Sequence, residues 1–204
     1  MSLRQKIVSQ FKRPEGILGH LAGIIMANRP SNIERNQWTV DLLSLEADDR
    51  LLEIGFGPGL AIERASQIIT DGLVVGIDHS EVMLQQAKKR NATAIADGRV
   101  ELYLGSLENL PPYEKPFTKI CSANVVQFWK DPVAEFSKLR SMLATGGAIA
   151  STYMPRHKNA SNADGLNKAN EIIANLEAAG FSNIRVEEKP MKPVSAISVL
   201  AIND

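Results

Sequence analysis

Leu51-Leu52-Glu53-Ile54-Gly55-Phe56-Gly57-Pro58-Gly59-Leu60 decides how the rest of the chain is read. Apolar residues flank a single carboxylate and give way to glycines at alternate positions, which reads as a buried strand turning sharply into a helix that begins near Pro58. Glycine lets the backbone approach a ligand closely, and proline fits a first helical turn, where its missing N–H is no loss. A second apolar run, Leu73-Val74-Val75-Gly76-Ile77, ends in Asp78, 23 residues after Gly55. A second parallel strand at that spacing delivers an acid to the ribose hydroxyls of a bound nucleotide.

Outward from these two strands, apolar runs alternate with helical patterns, as in a parallel sheet covered on both faces. Strands are expected near 50–55, 73–78, 100–104, 118–123 and 147–152. Ser80 caps a helix carrying Val82, Met83, Leu84 and Ala87. Asp131-Pro132 opens another, whose apolar stripe is Val133, Phe136, Leu139 and Leu143 and whose end is Gly146-Gly147. The last helix runs from about Asp164 to Ala179, with Leu166, Ala169, Ile172, Ile173 and Leu176 inward and Gly180 as its stop. Two short runs, Ile184 to Val186 and Ala196 to Ile202, follow it. Their proline-containing connection is too short for a crossover, so they pair antiparallel.

The chain of 204 residues is long enough for one well-buried α/β domain and too short for two of ordinary size. A hydrophobic share of 44% with 23% charged residues excludes a disordered chain, and the formal net charge of zero implies no overall attraction to nucleic acid. Arg4, Lys6, Lys12, Arg13, Arg29 and Arg35 face only Glu15 and Glu34 in the first 35 residues. That excess reads as a solvated basic face in preference to a contact with an acidic substrate or a membrane. The single cysteine, Cys121, falls inside the apolar stretch from Phe117 to Ala123, reads as a small core residue and fits a reducing cytoplasm. Residues 17–27 are too short to span a bilayer and end without a small-x-small cleavage pattern. With apolar positions 17, 18, 21, 24 and 25 on one face, they read as an amphipathic cap helix.

Dinucleotide-binding loops require a small residue at the end of G-x-G-x-x-G/A, where this chain has Leu60 or Ile62. The pattern present, E-x-G-x-G-x-G followed by Gly76-Ile77-Asp78-His79-Ser80, resembles motif I and the following acidic motif of class I S-adenosylmethionine-dependent methyltransferases. The resemblance covers about residues 47–204 and is most specific between 51 and 80. It implies a Rossmann-like, doubly wound α/β sheet of seven strands, mostly parallel with an antiparallel last strand. The whole chain, 1–204, then forms a single domain: a helical cap over 1–46 and a cofactor-binding core over 47–204.

The same resemblance implies site residues. The turn Gly55-Phe56-Gly57-Pro58-Gly59 wraps the methionine part of S-adenosylmethionine through backbone groups, and Glu53 orders that loop or receives the cofactor's amino group. Asp78 accepts the ribose hydroxyls, while His79 and Met83 lie against the adenine, with Met83 equally readable as plain core. Ser106 stands where many relatives have an aspartate for the adenine amino group, with the Leu107 N–H as the other adenine contact. Asn124 sits beside the cofactor's amino group, and Gln127, Phe128 and Trp129 face the acceptor, with Trp129 as a core residue an equal alternative. Candidates for a base are His157, after the fifth strand, and His20 in the cap, though both read more naturally as surface histidines. Histidines at 20, 79 and 157 show no metal-ligand spacing. Asn109-Leu110-Pro111-Pro112-Tyr113 imitates a motif of amino-methylating enzymes, but it precedes the fourth strand and reads as a loop. The expectation is a cytoplasmic methyltransferase acting on a small molecule by in-line displacement, without nucleic acid, metal or membrane span. An RNA or protein methyltransferase and a non-catalytic cofactor-binding protein are the alternatives.

Overall fold

The computed structural model describes residues 29–204, so the cap helix expected at 17–27 and His20 lie outside the described residues. Helix α1 (Pro30–Asp41) precedes strand β1 (Arg50–Ile54), and the chain then alternates: α2 (Leu60–Ser66), β2 (Leu73–Asp78), α3 (Glu81–Arg90), α4 (Ala92–Ala96), β3 (Val100–Leu104), β4 (Phe117–Ala123), α5 (Pro132–Met142), β5 (Leu143–Tyr153), α6 (Asn162–Ala178), β6 (Ser182–Lys189) and β7 (Ala196–Ile202). The seven strands form one sheet in the order β3-β2-β1-β4-β5-β7-β6. Strands β1 to β5 pair parallel, and β7 runs antiparallel to both β5 and β6. The strand order reverses between β1 and β4. In open α/β sheets that reversal leaves a crevice at the carboxyl ends of the two strands.

Side-chain alternation sorts each strand between two cores. Leu52, Ile54, Val75 and Ile77 join the cluster under α5 and α6, whereas Leu51 and Val74 join the one under α2 and α3. Glu53 and Asp78 share the parity of Leu51 and Val74, so both acids belong to the second face. Gly76 lies beside Glu53 in the register. A Cβ on it would come within 2.8 Å of the Phe56 ring, so the missing side chain is what lets Phe56 pack beneath the loop.

The local signals hold where they depend only on neighbouring residues. Ser80 accepts from the Met83 N–H, Asp131 accepts from the Ala134 N–H at 3.0 Å, and Gly180 takes φ +86° past the end of α6. Three expectations are corrected. Helix α2 begins at Leu60 rather than near Pro58, because Gly59 (φ +79°) is its N-cap. Leu143 is the first residue of β5, opposite Phe117, not the last of the α5 stripe. Leu166 is 50% exposed, since the buried face of α6 is Gly165, Ala169, Ile172 and Leu176.

Helix α1 packs on α2, β4 and β5 with an unusual face inward. Its buried residues are Asn32, Arg35, Asn36, Thr39 and Val40, a mainly polar stripe at helical spacing. The expected solvated basic face therefore fails at Arg35, which is 6% exposed. The Thr39 hydroxyl donates to Thr152 Oγ1 at 2.7 Å, and Thr152 donates on to Ser198 at 2.9 Å, tying α1 through β5 to β7. No helix among the described residues is long and apolar enough to cross a membrane.

Candidate active site

Three glycines in the left-handed region shape the turn after β1: Gly55 (φ +69°), Gly57 (φ +53°) and Gly59 (φ +79°). Side chains rarely adopt that backbone, so the sequence leaves glycine at each. Gly55 donates its N–H to the Ile77 carbonyl at 2.7 Å, fastening the turn to the end of β2. A Cβ at Gly55 would collide with Val125 Cγ2 at 2.5 Å, whereas one at Gly57 would meet nothing within 4 Å. The turn is thus closed against the β4 loop at Gly55 and open above Gly57. Phe56 is 2% exposed, so only its backbone faces the crevice.

Asp78 is the hub of this turn. One carboxylate oxygen accepts from the Gly57 N–H at 2.8 Å and the other from the Ser80 N–H at 2.9 Å. A carboxylate has about four lone-pair sites, and the N–H groups of Gly57, Ser80 and His79 do not use them all. Burial raises the Asp78 pKa, opposed by the N–H donors of Gly57 and Ser80 and by His79, whose Nδ1 lies 3.8 Å away. Glu53 is deeper, at 1% exposed. Burial, and then repulsion from Asp78, push its pKa up to about 8, with the Ile62 N–H at the start of α2 pulling the other way. Its Oε2 is buried without a hydrogen-bond partner. Two acids on one face, one with an unsatisfied oxygen, favour a ligand that brings N–H or O–H donors and positive charge.

The turn is also held from behind by residues that the sequence reading missed. Arg90 Nε donates to the Pro58 carbonyl at 3.0 Å while its Nη1 pairs with Glu63 at 2.9 Å. Asn91 Nδ2 donates to the Gly59 carbonyl at 3.2 Å. Arg90 reads as one of three basic residues closing α3, and nothing local marks its reach to a loop 32 residues away. Both residues line an open groove of about 460 Å³ with Glu63, Thr93 and Arg99.

The remaining expected residues divide. Met83 is 2% exposed within the α2–α3 core, which selects its structural reading, and His79 is exposed beside Asp78. Ser106 is exposed, but its hydroxyl donates to Glu108 and it begins the short 3-10 turn Leu107–Asn109. Asn124, at φ +60°, bonds Met154 with both ends of its amide: Nδ2 donates to the carbonyl at 2.7 Å and Oδ1 accepts from the N–H at 2.9 Å. Its side chain joins the ends of β4 and β5. Gln127 donates to the Asn124 carbonyl at 2.7 Å and leaves Oε1 buried without a partner. Phe128 is 47% exposed, whereas Trp129 is half-buried and packs edge-on against Phe136 at 5.0 Å. His157 is exposed, with Nε2 3.5 Å from the Asp164 carboxylate that caps α6. Cys121 is buried mid-strand, and burial pushes its thiol pKa up. Among the described residues no group of three His, Cys, Asp or Glu side chains is arranged to hold a metal ion.

Residues 51–147, from β1 into β5, match a family model described as a methyltransferase domain. The uncharacterized methyltransferase YdaC of Bacillus subtilis is 33% identical over 181 residues, which cover 89% of this chain and 97% of that protein. Among solved structures, a SAM-dependent methyltransferase of Aquifex aeolicus superposes with a TM-score of 0.68 at 19% identity, over 87% of this chain and 95% of that one. An N-methyltransferase of Haemonchus contortus, solved with S-adenosylhomocysteine, gives 0.61 at 17% identity, over 84% of this chain and 57% of that one.

Proposed function

Because this chain belongs to the class I S-adenosylmethionine-dependent methyltransferases, we propose that it binds S-adenosylmethionine in the Gly55–Gly59 turn and methylates a small molecule in the crevice between β1 and β4. The observation that carries this reading is the pair of buried acids beside the turn, Asp78 with spare lone pairs and Glu53 with an unsatisfied oxygen. Those residues fit the cofactor. Asp78 would accept the ribose hydroxyls, Glu53 would face the amino group, and the open backbone at Gly57 would admit the methionine part.

When bound, the cofactor supplies a methyl group on a sulfonium, reactive enough for in-line displacement by an aligned acceptor. The chain's own work is alignment. The turn is locked to β2 through Gly55 and Asp78 and braced by Arg90 and Asn91, so its N–H groups are already oriented before a ligand arrives. Asn124 fixes the ends of β4 and β5 relative to each other, which positions Gln127 and Phe128 at the acceptor side. In this reading helix α1 lies over that side. His157 serves as a surface residue at the start of α6 rather than as a base.

Calorimetric titration tests the reading directly. The protein should bind S-adenosylmethionine and S-adenosylhomocysteine and prefer both to NAD, and labelled cofactor should pass its methyl group to a component of a metabolite extract. Preference for NAD would overturn the cofactor assignment. Transfer only to the RNA or protein fraction would overturn the acceptor class.

A further inference from the structure

Three arginines gather at the acceptor side without a carboxylate among the described residues to balance them. Helix α1 runs alongside the outgoing end of β5: Thr39 bonds Thr152, and about two turns earlier Ser31 accepts from the Arg156 guanidinium at 3.3 Å. Arg35 lies between these two anchors. Among the described residues its guanidinium donates to the Asn32 side chain, its Nε is buried without a hydrogen-bond partner, and the charge that acts on it is that of Arg156. Arg156 is in turn repelled by Arg29. Burial, with Arg156 adding to it, lowers the Arg35 pKa, yet a guanidinium keeps its proton in proteins. Among the described residues this buried, permanently charged group faces only like charge, an arrangement that a bound anion would relieve.

Other orphaned arginine nitrogens in the protein have compensation. Arg50 lies over the rings of Tyr113 and Phe117, and Arg140 donates to the Asp204 carbonyl. Arg35 has neither. It also belongs to the inward polar stripe of α1, beside Asn36, where a helix covering plain core would carry apolar residues. The cluster is tied to the proposed cofactor turn by a short path. Gly55 abuts Val125, the neighbouring Asn124 holds Met154 through both amide atoms, and Arg156 follows two residues later.

The geometry points to an oxyanion subsite formed by Arg29, Arg35 and Arg156, which takes the carboxylate or phosphate group of the methyl acceptor. This assignment rests on the methyltransferase reading and narrows it to anionic small molecules. Planar guanidinium forks match either oxyanion, and two of them on one group fix its orientation as well as its charge.

The test titrates the full-length protein with inorganic phosphate and, separately, with malonate, at constant ionic strength, with and without saturating S-adenosylhomocysteine. Intrinsic tryptophan fluorescence reports the binding, since Trp38 of α1 packs against Met154 and Val194. Saturable binding of at least one anion is expected, weakened at least tenfold in Arg156→Gln, whose side chain is exposed and whose loss removes no core. Arg35→Lys, which keeps the charge and loses the fork, should weaken it several-fold. S-adenosylhomocysteine affinity should stay within twofold in both variants. Stronger saturation by phosphate identifies a phosphorylated acceptor, and stronger saturation by malonate a carboxylated one. Absence of saturation in the wild type, or equal saturation in Arg156→Gln, overturns the subsite. Failure of S-adenosylhomocysteine to bind while an anion still saturates overturns the cofactor assignment alone.

Discussion

Replacing Glu53 with glutamine removes an ionisable group from the interior while keeping an oxygen to accept from the Ile62 N–H. In the unfolded chain the acid has its ordinary value of 4.5, and in the folded, cofactor-free protein burial and Asp78 raise it to about 8. Because the folded value is the higher one, the stability this group contributes is fully present below pH 4.5 and is lost as pH rises through about 8. Between those values the folded state holds a proton that the unfolded state has released, at about 1.4 kcal/mol per pH unit. From pH 6 to pH 9 that amounts to about 2.5 kcal/mol, because the loss levels off once the folded acid ionises. For a chain of this size the change corresponds to roughly 5–10 °C in Tm. Thermal melts of the wild type and Glu53→Gln at pH 6, 7, 8 and 9 isolate the effect, since every other titrating group is common to both. The melting temperature of the variant should gain on that of the wild type by several degrees across the series. The same substitution should weaken S-adenosylmethionine binding at least tenfold at pH 9, where the wild-type acid is ionised and a neutral amide cannot match its attraction for the cofactor's positive charge. A gap that stays constant from pH 6 to pH 9 would refute the reasoning, because it would mean that Glu53 titrates as an exposed acid does.

Asp78→Ala should weaken S-adenosylmethionine binding by well over tenfold in calorimetry, from the loss of two charge-assisted hydrogen bonds of about 1.5–3 kcal/mol each. It should also lower Tm without ligand, because the Gly57 and Ser80 N–H groups lose their acceptor. Gly55→Ala should destabilise by about 2–5 kcal/mol in denaturant unfolding, combining left-handed strain with the overlap on Val125, while Gly57→Ala should cost only about 1–2 kcal/mol. Equal losses would show that Val125 yields freely. Deleting residues 1–28, which leaves α1 whole, should leave S-adenosylhomocysteine affinity within threefold and abolish transfer to the acceptor, as measured with labelled cofactor. Full transfer by that variant would remove the segment from the acceptor cap.

The glycine turn and its two acids, where we propose the cofactor binds, were legible in the sequence because their logic is local. Alternate glycines specify left-handed backbone, and strand parity puts Glu53 and Asp78 on one face whatever surrounds the sheet. Ser80, Asp131 and Gly180 were legible for the same reason, since caps and stops are decided within one turn of helix. The acceptor half was not. Whether Trp129 faces a ligand or Phe136 depends on how α5 docks, and Asn124 bonds a residue 30 positions away, so neither role is written in the neighbouring residues. Leu166 was misplaced by a periodicity that fits two adjacent faces of α6. Arg35 was misread for a different reason: a count of basic residues carries the assumption that each is solvated, and only packing shows that α1 turns this one inward.

A formal net charge of zero conceals a separation that bears on how the crevice would work. Glu53 and Asp78 lie at the cofactor turn, and Arg29, Arg35 and Arg156 gather beyond the ends of β4 and β5, with no described ion pair joining the two groups. Had the acids and arginines paired with each other, the crevice would be neutral and more stable, and it would offer a ligand little. Kept apart, each group leaves its cost for a ligand of opposite charge to offset, a cationic donor at one end and an anionic acceptor at the other. Away from water those two ligand charges also attract each other, because Coulomb energy rises as the local dielectric falls. The polarity of the crevice therefore does more than recognise two molecules separately. On the proposed assignments it would also bring the anionic acceptor toward the cationic donor, the direction in which a methyl group would have to travel.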